Sequence, residues 1–279
     1  MTTSQHAQLD IDARGVARLT LDRPAVHNAF DDALIAALNA HLEQLHALAA
    51  SGEVRVVVLG SQGKHFSAGA DLAWMKRMVD YSVDDNLADS RQLSRLMRGL
   101  DTLPCPTLCR VQGAAYGGAV GLAACCDLVI ASMAARFCLS EVKIGLSPAV
   151  VGPYVQRTIG ARQMRRYALT AEVIDATTAR ELGLVHQVVA SDALDEEIDR
   201  QIDTLLAASP QAQRATKALL AQIAREPESD ATREAACRTI SELRVSAEGQ
   251  EGLAAFFDKR PPAWQPTDGD RSSDKEPRS

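Results

Sequence analysis

The 279-residue sequence has no surplus of positive charge. Its 30 lysine and arginine residues are outnumbered by 36 aspartate and glutamate residues, which leaves a formal net charge of -6. A dedicated nucleic-acid surface needs clustered lysine and arginine to neutralise phosphates, so we expect no nucleic-acid partner. The balance still allows a local basic patch for one phosphorylated ligand.

Long apolar runs are also missing. No stretch reaches the ~18 continuous apolar residues of a membrane-spanning helix. The first residues, Met1 to His6, contain neither the basic region nor the apolar region of a secretory signal. We therefore expect no membrane partner and a cytoplasmic location.

Metal-binding and nucleophile motifs are absent as well. The cysteines form no C-x-x-C pair and have no histidine at ligand spacing, so we expect no metal and interpret them as reduced, mostly buried thiols. They are Cys105, Cys109, Cys125, Cys126, Cys138 and Cys237. The sequence also lacks a G-x-S-x-G elbow, an H-E-x-x-H motif and a Walker loop.

What is present is typical of a soluble globular protein. Hydrophobic residues make up 46% and charged residues 24%, and the length suits one large domain or a domain with a helical appendage. Strand and helix patterns alternate over residues 1–190, which predicts an α/β core with parallel strands. Residues 191–262 are helical in pattern, and the composition of 263–279 predicts a disordered tail.

Two junctions between a strand and a helix have unusually small residues. The apolar segment Thr107 to Val111 predicts a strand, and the stretch Gly113 to Asp127 continues with paired glycines at 117 and 118 into an apolar helix. A second predicted strand, Val54 to Gly60, leads through Phe66 to Asp71 into another helix. The first amides of a helix have no partner within it, so each junction offers free N–H donors. The glycines could instead serve only tight helix packing.

Together these stretches resemble the crotonase (enoyl-CoA hydratase/isomerase) superfamily. The resemblance rests on the two junctions and on the motifs that follow them, 137–141 and 145–148, and it extends from about Leu19 to Lys259. It implies an α/β crotonase-like spiral of ββα repeats with a C-terminal helical trimerisation region. It also implies a homotrimer or a dimer of trimers.

The resemblance assigns roles to backbone atoms more than to side chains. The amides of Ala70 and Gly118 would form an oxyanion hole for the thioester carbonyl of an acyl-CoA. His27 would lie near the ligand, although a solvated loop histidine explains it equally well. A C-terminal motif would reach CoA, often from the neighbouring subunit, and its lysine could instead be a solvated helix end. The implied contacts to the substrate and its CoA moiety are Val26, Ala68, Ala70, Leu72, Gly118, Phe256 and Lys259.

Glu141 is the predicted acid–base residue. It follows a strand, has apolar neighbours, and matches the glutamate that moves a substrate proton in this superfamily. Burial would raise its pKa and make it a usable proton donor and acceptor. A surface glutamate that caps a turn is the alternative. No cofactor is expected, because the CoA thioester is itself the substrate.

The sequence departs from the superfamily at Gly121. Hydratases of this type carry a second glutamate three residues after the oxyanion-hole glycine, so the two-glutamate mechanism does not carry over. Tyr116 and Ser140 are the nearest polar candidates to orient water. A glycine at this position could leave room for a branched or carboxylated acyl group, and that is a hypothesis.

Three readings of the function follow. The residues of these motifs are most similar to those of bacterial methylglutaconyl-CoA-type hydratases of leucine and acyclic terpene degradation. This similarity favours hydration of a substrate such as 3-methylglutaconyl-CoA. A delta-3,delta-2-enoyl-CoA isomerase that uses Glu141 alone is the first alternative. A non-catalytic CoA-binding or RNA-binding protein is the second, and the acidic charge makes RNA the least favoured ligand.

Overall fold

The computed structural model describes residues 6–265, which form nine strands and ten α-helices. The strands are Ala7–Ile11 (β1), Val16–Leu21 (β2), Val56–Ser61 (β3), Thr107–Val111 (β4), Ala114–Tyr116 (β5), Leu128–Ser132 (β6), Arg136–Cys138 (β7), Ile174–Asp175 (β8) and Gln187–Val189 (β9). The helices are Asp32–Ser51 (α1), Leu72–Met78 (α2), Val83–Asp101 (α3), Gly118–Cys125 (α4), Gly152–Thr170 (α5), Ala176–Glu181 (α6), Leu194–Leu206 (α7), Pro210–Arg225 (α8), Asp230–Val245 (α9) and Ala247–Asp258 (α10).

The larger sheet has the strand order β1-β2-β3-β4-β6-β9. Strands β1 and β2 form an antiparallel pair, and every later neighbour in this sheet is parallel. Parallel strands require crossover connections, and helices supply most of them here. The predicted α/β arrangement of the first 190 residues is therefore present, and the carboxyl ends of β3 and β4 lie at one edge of the sheet.

The smaller sheet, with the order β5-β7-β8, contains two short strands that the sequence does not predict, β5 and β8. The paired glycines indicate a loop between Val111 and the start of α4, yet Ala114–Tyr116 pairs in parallel with β7. Three residues are too few to show an alternating pattern, and the pairing partners are distant in the chain. Only tertiary contact makes this segment a strand.

Two apolar clusters hold the sheet between helices. The larger packs α1, α3, α4 and α5 against one face, and Asp31 caps α1 by accepting a hydrogen bond from the Leu34 N–H at 2.8 Å. The smaller packs α7 against the other face through its buried leucine and isoleucine side chains. The sheet is therefore covered on both faces, as parallel sheets require.

The last three helices extend away from this core. Helix α8 has no buried residue, although its sequence is amphipathic. Helix α10 lies beside Trp264, whose carbonyl oxygen accepts a hydrogen bond from Arg55 at 2.8 Å and whose indole donates to the Ala207 carbonyl at 3.1 Å. Trp264 falls within the predicted tail 263–279. The rest of that prediction, 266–279, lies outside the described residues.

Candidate active site

The two predicted junctions lie side by side. The Ser67 N–H donates to the Ala114 carbonyl oxygen at 2.9 Å, and the Tyr116 N–H donates to the Ser67 carbonyl oxygen at 3.0 Å. This short ladder joins the loop after β3 to strand β5, which leads directly into α4. The sequence places the junctions 40 or more residues apart, and the fold brings them into contact.

Two glycines allow the close approach of these loops. Gly69 has φ +90°, and a Cβ atom on it would lie 3.1 Å from the Tyr116 carbonyl oxygen. Gly117 has φ +55°, and its Cβ would lie 3.9 Å from the Gly69 Cα and 3.3 Å from Glu141 Oε1. A residue with a side chain would be strained at either position and would separate the loops. The glycines therefore serve a close contact between three segments.

Both predicted oxyanion-hole amides are unoccupied donors. The amides on either side of Ala70 are engaged: Asp71 N–H donates to the Phe30 carbonyl oxygen at 2.8 Å, and Gly69 N–H donates to the Ser67 hydroxyl at 3.2 Å. The Ala70 N–H itself has no partner among residues 6–265. Gly118 begins α4, and its N–H is likewise without a partner in the described part of the chain. Two free donors on adjoining loops are what an oxyanion hole requires.

A charged cluster fixes the loop that carries Ala70. Asp71 caps α2 by accepting hydrogen bonds from the N–H groups of Ala73 at 2.8 Å and Trp74 at 3.2 Å. Arg23 contacts Asp71 at 3.2 Å and Asp31 at 2.9 Å. Burial raises the pKa of the Asp71 carboxyl, but the two amides and Arg23 outweigh it, so the net shift is downward. The ionised carboxylate ties the first turns of α1 and α2 together.

Asn28 is a supporting residue that the sequence reading missed. It is fully buried with φ +54°; its side-chain oxygen accepts the Arg23 N–H at 2.8 Å. Its amide nitrogen donates to the carbonyl oxygens of Gln62 at 2.8 Å and His65 at 3.0 Å. These bonds join the loop after β2 to the loop after β3. An asparagine in a loop is tolerant of a left-handed backbone, and that was the available signal.

Glu141 is positioned as a proton-transfer group. It starts the 3-10 turn after β7 and is half-buried, and its Oε2 atom is buried without a hydrogen-bond partner among residues 6–265. Burial raises the pKa of its carboxyl, and the hydrogen bond from its own backbone N–H opposes this more weakly. The carboxylate therefore lies beside Gly117, next to the free amide of Gly118, with one oxygen available.

The space beside Gly121 is filled, so the hypothesis that this glycine leaves room for a branched acyl group is wrong. A Cβ atom on Gly121 would lie 2.7 Å from the Val151 Cβ and 3.0 Å from the Met97 Sδ. Both side chains are buried. The position where related hydratases carry a second glutamate therefore cannot hold any side chain here unless its neighbours move.

Neither predicted substitute for the second carboxylate contacts Glu141. Tyr116 and Ser140 are half-buried and lie directly before Gly117 and Glu141 in the chain. Within residues 6–265 neither hydroxyl makes a hydrogen bond to the Glu141 carboxylate. Their role in orienting water stays a prediction.

The predicted CoA contacts fall into two groups. Val26 and Leu72 are 42% and 76% exposed on the site loops, together with the exposed Ala68. The Ala68 N–H already donates to the His27 carbonyl oxygen at 2.9 Å, so an adenine ring could use only the Ala68 carbonyl. These residues form one outer rim.

Phe256 and Lys259 are not part of that rim in the same chain. Helix α10 is anchored through Trp264 and Arg55 at the amino-terminal end of β3, and the site loops follow its carboxyl end. A strand of this length spans roughly 20 Å. Both residues are exposed, and their supply to the site of a neighbouring subunit stays a prediction.

The remaining histidines and cysteines do not form a metal site in the described chain. No group of three histidine, cysteine, aspartate or glutamate side chains within 6–265 is arranged to hold a metal ion. His186 accepts the Val129 N–H through Nδ1 at 3.0 Å, which is a structural contact between the last strands. Within the same residues no helix has the length and apolar character needed to cross a bilayer.

Two free N–H donors on adjoining loops, with a half-buried carboxylate beside one of them, suit chemistry that adds or removes a proton next to a carbonyl group. The comparisons with known proteins identify the family. The family model described as enoyl-CoA hydratase/isomerase matches residues 12–267. The chain belongs to this family.

Solved structures and sequence relatives agree with this identification. An enoyl-CoA hydratase from Shewanella pealeana superposes with a TM-score of 0.88 at 44% identity, covering 94% of this chain and 97% of that chain. The 2,3-dehydroadipyl-CoA hydratase of Escherichia coli K12 is 32% identical over 90% of this chain and 95% of its own length. The trans-2-decenoyl acyl-carrier-protein isomerase of Streptococcus mutans is 30% identical over 90% of this chain and 94% of its own length.

These matches confirm the predicted superfamily and its α/β fold, and they make the chain an enzyme of the family. Hydratases and an isomerase are both among the relatives, so membership alone does not select the reaction. That choice depends on the chemistry of Glu141 and its surroundings.

Proposed function

We propose that the chain adds water across the α,β double bond of an enoyl-CoA, with Glu141 as its single acid–base group. The observation that carries the proposal is the carboxylate itself, with Oε2 buried and unpartnered among residues 6–265 and Oε1 against Gly117. An oxygen in this state can accept a proton from a water molecule held beside it. The free amides of Ala70 and Gly118 lie on the adjoining loops.

One carboxylate is sufficient for the proton balance of hydration. The thioester oxygen accepts hydrogen bonds from Ala70 and Gly118, and Glu141 takes a proton from water while the water oxygen bonds to the β-carbon. The π electrons move to the thioester oxygen and form an enolate, which the two amides stabilise. Glu141 then returns its proton to the α-carbon. The product has gained one H and one OH, and no cofactor is required because the CoA thioester is the substrate.

The proposed substrate is a branched enoyl-CoA such as 3-methylglutaconyl-CoA. Its support is the similarity of the motifs around Ala70, Gly118 and Glu141 to those of bacterial methylglutaconyl-CoA-type hydratases. The filled space at Gly121 gives this choice no additional support, because the branch cannot occupy it. The substrate assignment therefore depends on sequence motifs and on the assay below.

A delta-3,delta-2-enoyl-CoA isomerase is the second candidate. The observation that favours it is that the Gly121 position holds no carboxylate and has no room for one. In isomerisation Glu141 would remove a proton from the α-carbon and return it to the γ-carbon, and no water has to be oriented. The same amides would hold the dienolate oxygen.

One set of assays separates the candidates. Purified protein is incubated with 3-methylglutaconyl-CoA, with crotonyl-CoA and with trans-3-hexenoyl-CoA, and the conjugated enoyl absorbance is followed. Hydration removes this absorbance from the first two substrates, and isomerisation creates it in the third. Hydration of neither of the first two would reject the proposed reaction, and formation of conjugated product from the third would then support the isomerase.

Glu141→Gln tests the proposed acid–base role. It should lower kcat/KM by at least ~100-fold, the usual contribution of a positioned proton-transfer group. Glu181→Gln is the matched control, because Glu181 is exposed at the end of α6. It should leave the rate unchanged. Unaltered turnover of every acyl-CoA by Glu141→Gln would favour the non-catalytic CoA-binding alternative.

We also propose a homotrimer or a dimer of trimers. The support is the exposed apolar surface of the C-terminal helices, where α8 buries none of its residues. The exposed large apolar side chains of helices α8, α9 and α10 are Leu220, Ile240, Val245, Leu253, Phe256 and Phe257. Light scattering should give three or six times the chain mass of 29.9 kDa. A monomer at micromolar concentration would contradict the assembly.

A further inference from the structure

Val151 lies directly against the helix that carries the proposed oxyanion donor. It precedes α5 and is only 2% exposed, and its Cβ atom lies 2.7 Å from the position that a Cβ on Gly121 would take. Met97 approaches the same position from α3, with its Sδ at 3.0 Å. Two side chains from different helices thus occupy the space that a residue at position 121 would otherwise fill.

This space is on the side of α4 that also carries Gly118. Residues three apart in a helix share a face, so Gly121 lies one turn beyond Gly118 on the side where the Gly118 amide is offered. A thioester oxygen bound to that amide directs the acyl carbons along the first turns of the helix. Because Gly121 has no side chain, the buried side chains of Val151 and Met97 pack against this part of α4.

The wall formed by these two residues is rigid. Valine is branched at Cβ and has a restricted χ1 angle. Met97 is fully buried, and its Sδ atom contacts the Cys125 Sγ, one turn beyond Gly121 on α4, at 3.9 Å. A close-packed interior does not yield to an additional methylene group without strain. The wall should therefore discriminate between acyl groups by size.

We propose that Val151, supported by Met97, sets the size of the acyl group that the site accepts. The inference rests on the proposed binding of an acyl-CoA thioester at Ala70 and Gly118. Val151 is a specificity-determining residue in this account and takes no part in proton transfer. Removal of its two methyl groups should open space beside the α- and β-carbons of the substrate.

The test compares dissociation constants of saturated acyl-CoAs, measured by calorimetry. Butyryl-CoA, 3-methylbutyryl-CoA and hexanoyl-CoA are titrated into the wild type, Val151→Ala and Val56→Ala. Val56 is a matched control, because it is a fully buried valine in the core cluster on the opposite face of the sheet. Val151→Ala should increase the affinity for 3-methylbutyryl-CoA and hexanoyl-CoA relative to butyryl-CoA by about tenfold, which is the lower range for one methylene in an apolar pocket. An unchanged preference in Val151→Ala, equal to that of Val56→Ala, would overturn the proposal.

A second variant tests the proposal if Val151→Ala does not fold. Val151→Ile adds one methylene to the wall and should weaken 3-methylbutyryl-CoA and hexanoyl-CoA relative to butyryl-CoA. Equal affinity ratios in Val151→Ile and the wild type would count against the proposal. Saturated acyl-CoAs cannot be hydrated, so these ratios are independent of turnover. A shifted ratio in a protein that hydrates nothing would reject the proposed reaction and retain the role of Val151, whereas absence of acyl-CoA binding to the wild type would reject both.

Discussion

Replacement of Asn28 by alanine tests whether one buried amide holds the loops of the site together. The side chain makes three hydrogen bonds, at 2.8 Å to the Arg23 N–H, 2.8 Å to the Gln62 oxygen and 3.0 Å to the His65 oxygen. Each is worth roughly 1 kcal/mol in net stability, so their loss costs about 3 kcal/mol. Alanine at φ +54° adds about 1 kcal/mol because its Cβ disfavours the left-handed conformation.

The expected total of about 4 kcal/mol corresponds to a fall in melting temperature of roughly 8–16 °C for a chain of this size. Asn28→Gly loses the same hydrogen bonds without the left-handed strain and should be about 1 kcal/mol less destabilised. Asn39→Ala is the matched control. Asn39 is also buried, but it lies within helix α1 and donates a single hydrogen bond, at 3.1 Å to the Gln92 carbonyl oxygen. Its replacement should cost about 1 kcal/mol.

The measurement is thermal unfolding of all four proteins at one protein concentration, since assembly makes the melting temperature concentration-dependent. Activity with the proposed substrate, 3-methylglutaconyl-CoA, is measured on the same samples. Asn28 positions the backbone beside His27, whose carbonyl oxygen holds the Ala68 N–H at 2.9 Å, so KM for acyl-CoA should rise in Asn28→Gly. If the melting temperature of Asn28→Ala is no lower than that of Asn39→Ala, the three hydrogen bonds of Asn28 do not stabilise the fold by the expected amount.

Three further predictions concern the site and its partner chain. Burial raises the folded-state pKa of Glu141, so the stability linked to this group is present at low pH and lost as pH rises through the raised pKa; Glu141→Gln should therefore raise the melting temperature at neutral pH. The kcat/KM of the wild type should fall on acidification at a pH above the ordinary glutamate pKa of about 4.3. A fall in kcat/KM centred at the ordinary pKa would contradict the upward shift. Gly117→Ala should reduce kcat by at least ~100-fold in a folded protein, because its Cβ would lie 3.3 Å from Glu141 Oε1 at φ +55°, and a normal kcat would show that this close contact is dispensable. Lys259→Ala should raise KM for CoA thioesters with kcat unchanged, since Lys259 is proposed to reach CoA in a neighbouring subunit; an unchanged KM in steady-state kinetics would exclude that contact.

The filled position at Gly121 changes how the missing carboxylate is understood. Absence of a glutamate could mean a larger site, and the structure shows the opposite: Val151 and Met97 close the space. A second carboxylate could not be introduced by Gly121→Glu alone, because Val151 would have to be shortened at the same time. The absence of a second carboxylate at this position is therefore built into the packing of α4 against Val151 and Met97.

Local sequence was sufficient to determine most elements and the superfamily. The apolar segments Val54 to Gly60 and Thr107 to Val111 predicted two strands, which the structure has at Val56–Ser61 and Thr107–Val111. The polarity pattern of such an element is formed by consecutive residues, so its signal lies within a short window of the sequence. The glycines at the start of α4 and the resemblance of the two junctions to the crotonase superfamily are likewise evident from short stretches of consecutive residues.

Contacts between distant segments were decided by the tertiary structure alone. Strand β5 forms because it pairs with β7 and contacts Ser67. Its three residues are too few for an alternation of apolar and polar residues to predict it. The burial of Asn28, the free oxygen of Glu141 and the occupants of the space at Gly121 depend on groups that are distant in the chain, such as Gln62 for Asn28 and Val151 for Gly121. Whether a glycine leaves a cavity or receives a neighbour is a property of packing, and packing is set by all the elements that meet at that point.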